Sequence, residues 1–181
     1  AFRSLPADFR ILVPKSLCKL YRTKWAEYAD HINVDGGYYQ STPVRTVTVT
    51  APNTLAKALG LEPEISATWD IWSKHLHGLK GDYSRISRLK VVGPISTTDF
   101  DVLRYLAGYC PWRQDRNYMG PLEYIDLYDA QIVEESGYSL IGKGTVAGGP
   151  VSIGVDADVL PSNAFQNAYN LKTLILPKTC K

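Results

Sequence analysis

The sequence of 181 residues has little of what small disulfide-bonded, metal-binding or membrane-spanning domains are built from. Its three cysteines, Cys18, Cys110 and Cys180, are odd in number and widely spaced. They therefore indicate free buried thiols rather than a disulfide framework or a zinc site. No apolar run approaches the roughly 20 residues that span a bilayer. The net charge of +2 is too small to indicate nucleic acid or an anionic membrane as a partner.

A signal peptide is also missing, because Ala1 leads straight into a mixed polar sequence. The protein is therefore either intracellular or exported with its leader removed. The apolar fraction of 45% and the charged fraction of 21% are ordinary for a globular protein. A chain of this length can bury a good core without help from metals or disulfides.

Residues 1–43 are predicted to form a helical capping segment. Apolar side chains from Leu17 to Ile32, among them Trp25 and Tyr28, recur at the spacing of one helical stripe. Ser16 can accept an orphan backbone N–H at the start of this helix. Packing onto a core explains so aromatic a stripe, and stacking on a ligand is the alternative.

Residues 44–181 are predicted to form a second unit, which begins where the apolar period changes from 3.6 to 2. Val47 and Val49 alternate with threonines, which predicts a half-buried strand. A short helix is expected to begin near Leu55 and to end at Gly60.

Two further helices are predicted before and after residue 90. The first, with the weaker period, would run through four apolar residues, Trp69, Trp72, Leu76 and Leu79. The second is the stretch STTDFDVLRYLAG, where residues 96–98 offer N-caps and Asp99 lies near the positive end of the helix dipole. Phe100 and Leu103 would pack this helix on a sheet, and Gly108 would end it.

An apolar pattern recurs three times in the second unit, with the form apolar-x-x-apolar-x-apolar. Its members are Ile86, Leu89 and Val91; Leu122, Ile125 and Leu127; and Leu171, Leu174 and Leu176. The middle copy continues to Ala130 and Ile132, which matches the leucine-rich-repeat pattern with alanine at the Asn/Cys place. We therefore expect three neighbouring parallel strands in one sheet.

Aligning the three copies also aligns the side chains of the opposite sheet face. The predicted rows are Arg88–Tyr124–Thr173, Lys90–Asp126–Ile175 and Val92–Tyr128–Pro177. Lys90 and Asp126 would form a cross-strand ion pair within about 4 Å. The candidate binding face consists of Arg88, Lys90, Tyr124, Asp126 and Tyr128, and a solvated face without a ligand is the equal alternative.

The stretches LPSNAFQNAYNLKTLILP, ISRLKVVGPISTTDFDVLRYLAG and PLEYIDLYDAQIV resemble the BspA-like leucine-rich-repeat proteins at the surface of Bacteroides-type bacteria. The resemblance covers roughly residues 44–181, and it includes one late repeat where family members usually carry several. It implies an α/β fold: a short solenoid of parallel strands and connecting helices, preceded here by the aromatic N-terminal helix. It also implies that the chain is part of a longer array.

The last strand, around 171–176, is expected to have its outer edge covered, because no later repeat follows it in this sequence and an exposed edge is a template for further pairing. Three alternatives for the cover of that edge remain: the N-terminal helix around Trp25 and Tyr28, a second copy of the chain through self-association, or sequence beyond these 181 residues. The third is favoured.

Patterns for metal or catalytic chemistry each lack a required part. His75 and His77 are two ligands without a third, and GYSLIGKGT places Gly144 where a phosphate loop needs a hydroxyl. Six acids could supply a carboxylate pair for glycoside hydrolysis: Asp99, Asp101, Asp126, Asp129, Glu134 and Glu135. Nothing in the sequence fixes their separation.

The resemblance implies a non-enzymatic adhesion or interaction module, secreted, periplasmic or at the cell surface, that binds protein or glycan through its repeat sheet face. No cofactor, metal or nucleic acid is expected. The alternative is an envelope protein that binds or processes glycans with acidic and aromatic residues in a groove. A carboxylate pair in one concavity would favour the second reading, and a flat Tyr/Lys/Asp face would favour the first.

Overall fold

The computed structural model describes residues 8–13, 17–34, 44–67, 74–109, 120–135, 155–161 and 164–181, with only the backbone for residues 34, 64–67 and 74–78. Within these residues the strands are β1 (Arg10–Val13), β2 (Ile32–Val34), β3 (Arg45–Thr48), β4 (Glu62–Ala67), β5 (Lys74–Lys80), β6 (Arg88–Ile95), β7 (Tyr124–Asp126), β8 (Ala130–Ile132) and β9 (Thr173–Ile175). The helices are α1 (Cys18–Lys24), α2 (Leu55–Ala58), α3 (Thr97–Leu106) and a 3-10 helix (Ala26–His31).

The main sheet is parallel throughout its described part and curls into a half-barrel. Its six strands follow the order β2-β1-β9-β7-β6-β3, and β8 pairs with the second half of β6. The predicted α/β class is confirmed. A solenoid is not identified in the described residues, so the leucine-rich-repeat interpretation stays a prediction.

The three predicted repeat strands are neighbours in one sheet, as expected. β7 lies between β6 and β9, and both pairings are parallel. Leu89, Ile125 and Leu174 stack in one row, fully buried, because the apolar period of the three copies places them on the core side. The predicted register is therefore confirmed for β6, β7 and β9.

The pairing along β6 changes between its two halves. Leu89 pairs with Ile125, whereas Gly93 pairs with Ala130, so the partner strand holds one extra residue between the two points. That residue is accommodated in a turn, where the Ala130 N–H donates to the Leu127 carbonyl at 2.9 Å. Such an insertion bends a strand and turns its side chains outward, as a β-bulge does. Tyr128 consequently lies in a turn and not in the strand row predicted for it.

α3 follows β6 and is confirmed as predicted. Asp99 accepts a hydrogen bond from the Ser96 N–H at 3.0 Å in a capping box, and Gly108 ends the helix with a φ of 91°. Phe100 and Leu103 are fully buried in the main core. The strand at 45–48 and the short helix at 55–58 are also confirmed.

The helix expected through Leu76 and Leu79 is wrong. Both residues lie in β5, which pairs with β4 in a separate antiparallel hairpin. The i, i+3 spacing of two leucines does not distinguish helix from strand, and β5 is paired with β4 along its whole length. Trp69 and Trp72 lie outside the described residues.

The long N-terminal helix is also corrected. The α-helix covers only Cys18–Lys24, a 3-10 helix follows, and Ile32 already belongs to β2. The strand Arg10–Val13 comes before the helix and was not predicted. It was missed because a strand of four residues, RILV, is too short to reveal a period.

The predicted cover of the last strand's edge is confirmed, and β1 supplies it by pairing with β9 in parallel. Ile11 lies beside Leu174, and the Arg10 N–H donates to the Lys172 carbonyl at 2.7 Å. The favoured cover, sequence beyond these residues, is thus wrong for this edge. The N-terminal helix contributes as well, since the Tyr21 hydroxyl donates to the Cys180 carbonyl at 2.6 Å.

Among the described helices, none has both the length and the apolar character that a membrane crossing needs.

Candidate functional site

The predicted pair of Lys90 and Asp126 forms on the sheet face opposite the core. The Lys90 Nζ lies 4.0 Å from an Asp126 oxygen, because β6 and β7 hold the two residues in one register row. The expected ion pair is confirmed. Both side chains remain partly exposed, so this contact is accessible from outside.

A shorter contact involves Asp129, which the turn after β7 brings over the same face. The Lys90 Nζ lies 2.7 Å from one Asp129 oxygen, and the Lys178 Nζ lies 3.2 Å from the other. The hydrogen bond to Asp129 raises the pKa of Lys90. The hydrogen bonds from Lys90 and Lys178 lower the pKa of Asp129. Charge thus alternates from β6, through β7 and the turn after it, to the segment that follows β9, and we call Lys90, Asp126, Asp129 and Lys178 the charged ladder.

Tyr128 projects from the turn beside the charged ladder. Its side chain is 40% exposed, and its N–H donates to Asp126 Oδ1 at 2.9 Å. The Lys178 N–H donates to the Tyr128 carbonyl at 3.1 Å, and the Lys178 Nζ lies 5.7 Å from the tyrosine ring centroid. Two hydrogen bonds, one to the Asp126 side chain and one between backbone groups, therefore fix the turn, and the ring has a cation near one face.

Arg88 and Tyr124, the other two predicted site residues, pair with each other. The Arg88 guanidinium carbon lies 4.4 Å from the Tyr124 ring centroid. Tyr124 is only 7% exposed, because it packs with Leu12, Ile175 and the partly buried Val44 in a small second core. Of the five predicted residues, the structure therefore brings Lys90, Asp126 and Tyr128 to one accessible place and withdraws Tyr124 from it.

Two residues of this surface, Asp129 and Lys178, were absent from the predicted binding face. Each directly follows a predicted position, Tyr128 or Pro177, and a strand alternation would send it to the core side. The signal that could have found them is the inserted residue, which shows only when Ala130 is aligned with Gly93 as well as Ile125 with Leu89.

Neither a protein-family model nor a curated protein matches this chain.

A second polar cluster joins the start of α3 to the loop after β3. Glu135 Oε2 accepts hydrogen bonds from Ser96 Oγ at 2.8 Å, Thr97 Oγ1 at 2.7 Å and Asn53 Nδ2 at 3.0 Å. Asp99 Oδ1 accepts from the Leu55 N–H at 2.8 Å. Its Oδ2 accepts from two backbone N–H groups, those of residues 53 and 96.

The two acids of this cluster have pKa values displaced in opposite directions. Burial raises the pKa of Asp99 despite its three backbone hydrogen bonds. Burial also pushes the pKa of Glu135 upward, but hydrogen bonds from Asn53, Thr97 and Ser96 outweigh it and leave that pKa lowered. Opposed shifts are typical of acid–base pairs. In this cluster, however, both Asp99 oxygens are occupied by backbone donors, so the cluster is suited to holding three chain segments together.

Asp101 and Arg104 form a buried ion pair on α3. An Arg104 nitrogen lies 3.1 Å from Asp101 Oδ1, and the two side chains are 5% and 3% exposed. Burial raises the pKa of Asp101 to about 7, although the charge of Arg104 opposes the shift. Asp101 Oδ2 has no hydrogen-bond partner in the part of the chain that the structure describes.

No group of three or more potential metal ligands occurs among the described residues. The side chains of His75 and His77 are not among the described ones, although both residues belong to the backbone of β5. The glycine-rich stretch at 137–154 also lies outside the described residues.

Proposed function

We propose that the chain is a non-enzymatic interaction module of the leucine-rich-repeat type, which binds a protein partner through the charged ladder and Tyr128. The repeat interpretation is supported by the confirmed register of β6, β7 and β9, in which like positions of three sequence copies stack. The location at the cell surface, in the periplasm or outside the cell follows from the resemblance to BspA-like proteins and is part of the proposal.

The observation that carries the proposal is the fixed arrangement of unlike charges around one exposed tyrosine. Asp129 is held by Lys90 and Lys178 at 2.7 and 3.2 Å, and Tyr128 projects from the same turn. A partner that meets this surface finds side chains already ordered by neighbouring strands, so less entropy is lost on binding. Exposed tyrosine beside polar groups is a common centre of protein interfaces.

A protein partner fits this surface better than a glycan does. The ammonium group of Lys178 stands 5.7 Å from the Tyr128 ring centroid and hinders stacking of a sugar on that face. The ring edge and hydroxyl remain available beside two acids and two lysines. Such a surface is suited to a partner of mixed charge.

The alternative of a glycan-processing enzyme requires two carboxylates that face a common space. Asp99 and Glu135 are joined through shared donors, Asn53 and Ser96. Backbone N–H groups occupy Asp99, which supports a structural role.

Binding to a panel of purified cell-surface proteins and purified polysaccharides, measured by surface plasmon resonance, tests the proposal. Tyr128→Ala should weaken the tightest protein interaction about tenfold or more. Tyr169→Ala is the matched control, because Tyr169 is 37% exposed and Tyr128 is 40% exposed. The assignment would be refuted if the unmodified chain, Tyr128→Ala and Tyr169→Ala bound every partner with equal affinity. Loss of polysaccharide binding alone would replace the protein partner with a glycan.

A further inference from the structure

The strands β1 and β9 begin short sequences of the same pattern. Residues 10–16 read RILVPKS and residues 173–179 read TLILPKT, with a proline and a lysine in corresponding places. The structure pairs them in this alignment, with Arg10 beside Thr173, Ile11 beside Leu174 and Leu12 beside Ile175. β1 therefore occupies the position of the next strand in a stack of repeats, and its sequence resembles that of the repeat strand β9.

The segment from β1 to β2, residues 10–34, has the length of one repeat. Ile11 pairs with Ile32, and the two residues are 21 positions apart in the chain. Leucine-rich repeats are 20 to 29 residues long. We call residues 10–34 the N-terminal repeat segment. In the sheet, β1 and β2 follow β9 as the strands of a next repeat would. In the chain, however, they come before β3, β6, β7 and β9.

The contact between this segment and the last strand resembles a protein interior. Ile11, Val13, Tyr21 and Ile32 are at most 1% exposed. The Tyr21 hydroxyl donates to the Cys180 carbonyl across 159 positions of sequence. Contacts of this kind join two parts of the molecule that are remote along the chain, so a second copy can supply either part without changing any contact.

The connection from β2 to β3 sets how strongly the closed single chain is favoured. β2 and β3 lie at opposite ends of the sheet order, five inter-strand spacings or about 24 Å apart along the sheet. Ten peptide steps join Val34 to Val44 and reach at most about 33–36 Å. Closure within one chain is thus feasible, and a connection of this length gives an effective concentration of millimolar order.

We propose that the edge of β9 is a homotypic docking site whose partner is the N-terminal repeat segment of a second copy of this chain. Two chains exchange these segments, each β1 pairing with the β9 of the other. The exchange uses the contacts of the single chain, and the exchanged dimer becomes populated as the protein concentration approaches the millimolar range.

Disulfide trapping tests the exchange. Arg10→Cys and Thr173→Cys place two thiols on adjacent residues of β1 and β9, at a separation that suits a disulfide. The two single variants are mixed, unfolded, refolded together at increasing concentration and oxidised with a glutathione buffer. Peptide mass spectrometry then separates the new bond from any bond of the native cysteines. The expected result is a bond between chains whose yield rises with concentration.

Thr46→Cys replaces Thr173→Cys in the matched control. Thr46 is exposed on β3, and three strands separate β3 from β1, so this mixture should give no bond to Arg10→Cys. The double variant Arg10→Cys/Thr173→Cys, at low concentration, should form the bond within one chain.

Two outcomes overturn the proposal. In one, the double variant forms its bond within the chain, but mixed single variants form none up to about 1 mM. In the other, the double variant forms no bond, and the β1–β9 pairing itself is then refuted. A further measurement, light scattering of the unmodified chain after the same refolding, does not depend on whether the cysteine variants fold. The unmodified chain should form dimers over the concentrations at which the mixed variants form the bond between chains. If it stays monomeric at all of these concentrations, the exchange is also refuted.

Discussion

Replacement of Gly93 by alanine should destabilise the fold strongly, because this glycine sits at the change of pairing along β6. Its φ is 103°, a conformation that residues with a side chain rarely adopt. Its N–H donates to the Asp129 carbonyl at 3.2 Å, and the adjacent Val92 carbonyl accepts from the Val49 N–H at 2.8 Å. A methyl group at residue 93 would meet the Val49 carbonyl oxygen far inside van der Waals contact.

The expected loss has two parts. The backbone conformation costs an alanine about 1–3 kcal/mol. Moving the Val49 backbone away from the methyl group adds about 1–3 kcal/mol for the forced displacement. The free energy of unfolding should therefore fall by about 2–6 kcal/mol. The Val49 carbonyl belongs to the backbone, so a rotamer change cannot relieve the clash with the methyl group.

Urea unfolding followed by circular dichroism measures the loss, and Gly60→Ala is the control. Gly60 also has a positive φ, 76°, but no atom lies within 4 Å of the place where its Cβ would be. That variant should lose only the conformational part, about 1–2 kcal/mol. If the two variants lose the same free energy within about 0.5 kcal/mol, the close approach of Val49 to Gly93 is wrong.

Three further predictions concern single polar groups. Tyr21→Phe should lower the free energy of unfolding by about 1–2 kcal/mol, because the buried Cys180 carbonyl loses its donor; no change in the urea midpoint would contradict the bond. Burial raises the pKa of Asp101 from 3.8 to about 7, so its protonation stabilises the folded state fully below about pH 4, and this contribution is lost as the pH rises through 7. Asp101→Asn should remove that fall from the urea midpoint measured between pH 4 and 7, and an unchanged profile would refute the raised pKa. Asp129→Asn should lower the thermal midpoint slightly at low salt and by less in about 1 M salt, where the screening length of about 3 Å is close to the 2.7 and 3.2 Å of its ion pairs with Lys90 and Lys178; a loss independent of salt would exclude an electrostatic cause.

The repeat strands and their register could be predicted from the sequence because the apolar residues of the core side recur at the same spacing in each copy. A slip of one residue would move Leu89, Ile125 and Leu174 to the exposed face, so the pattern allows one register only. Lys90 and Asp126 were predicted together for the same reason.

Other parts could not be predicted, because they depend on packing between segments remote in sequence. β1 is four residues long, and only its pairing with β9 makes it a strand. The burial of Tyr124 depends on Leu12 and Val44, which arrive from distant parts of the chain. Asp129 joins the charged ladder because of one inserted residue, a feature that a regular period does not contain.

The pairing of β1 with β9 has a consequence for synthesis of the protein on the ribosome. Tyr21 and its hydrogen-bond partner Cys180 are 159 positions apart, and a ribosome adds roughly 5–20 residues per second. The N-terminal strand therefore leaves the ribosome about 8–30 s before the last strand exists to receive it. During that time Ile11 and Val13, which are fully buried in the finished fold, must stay in water or on a chaperone. β1 is therefore made long before the strand that it pairs with.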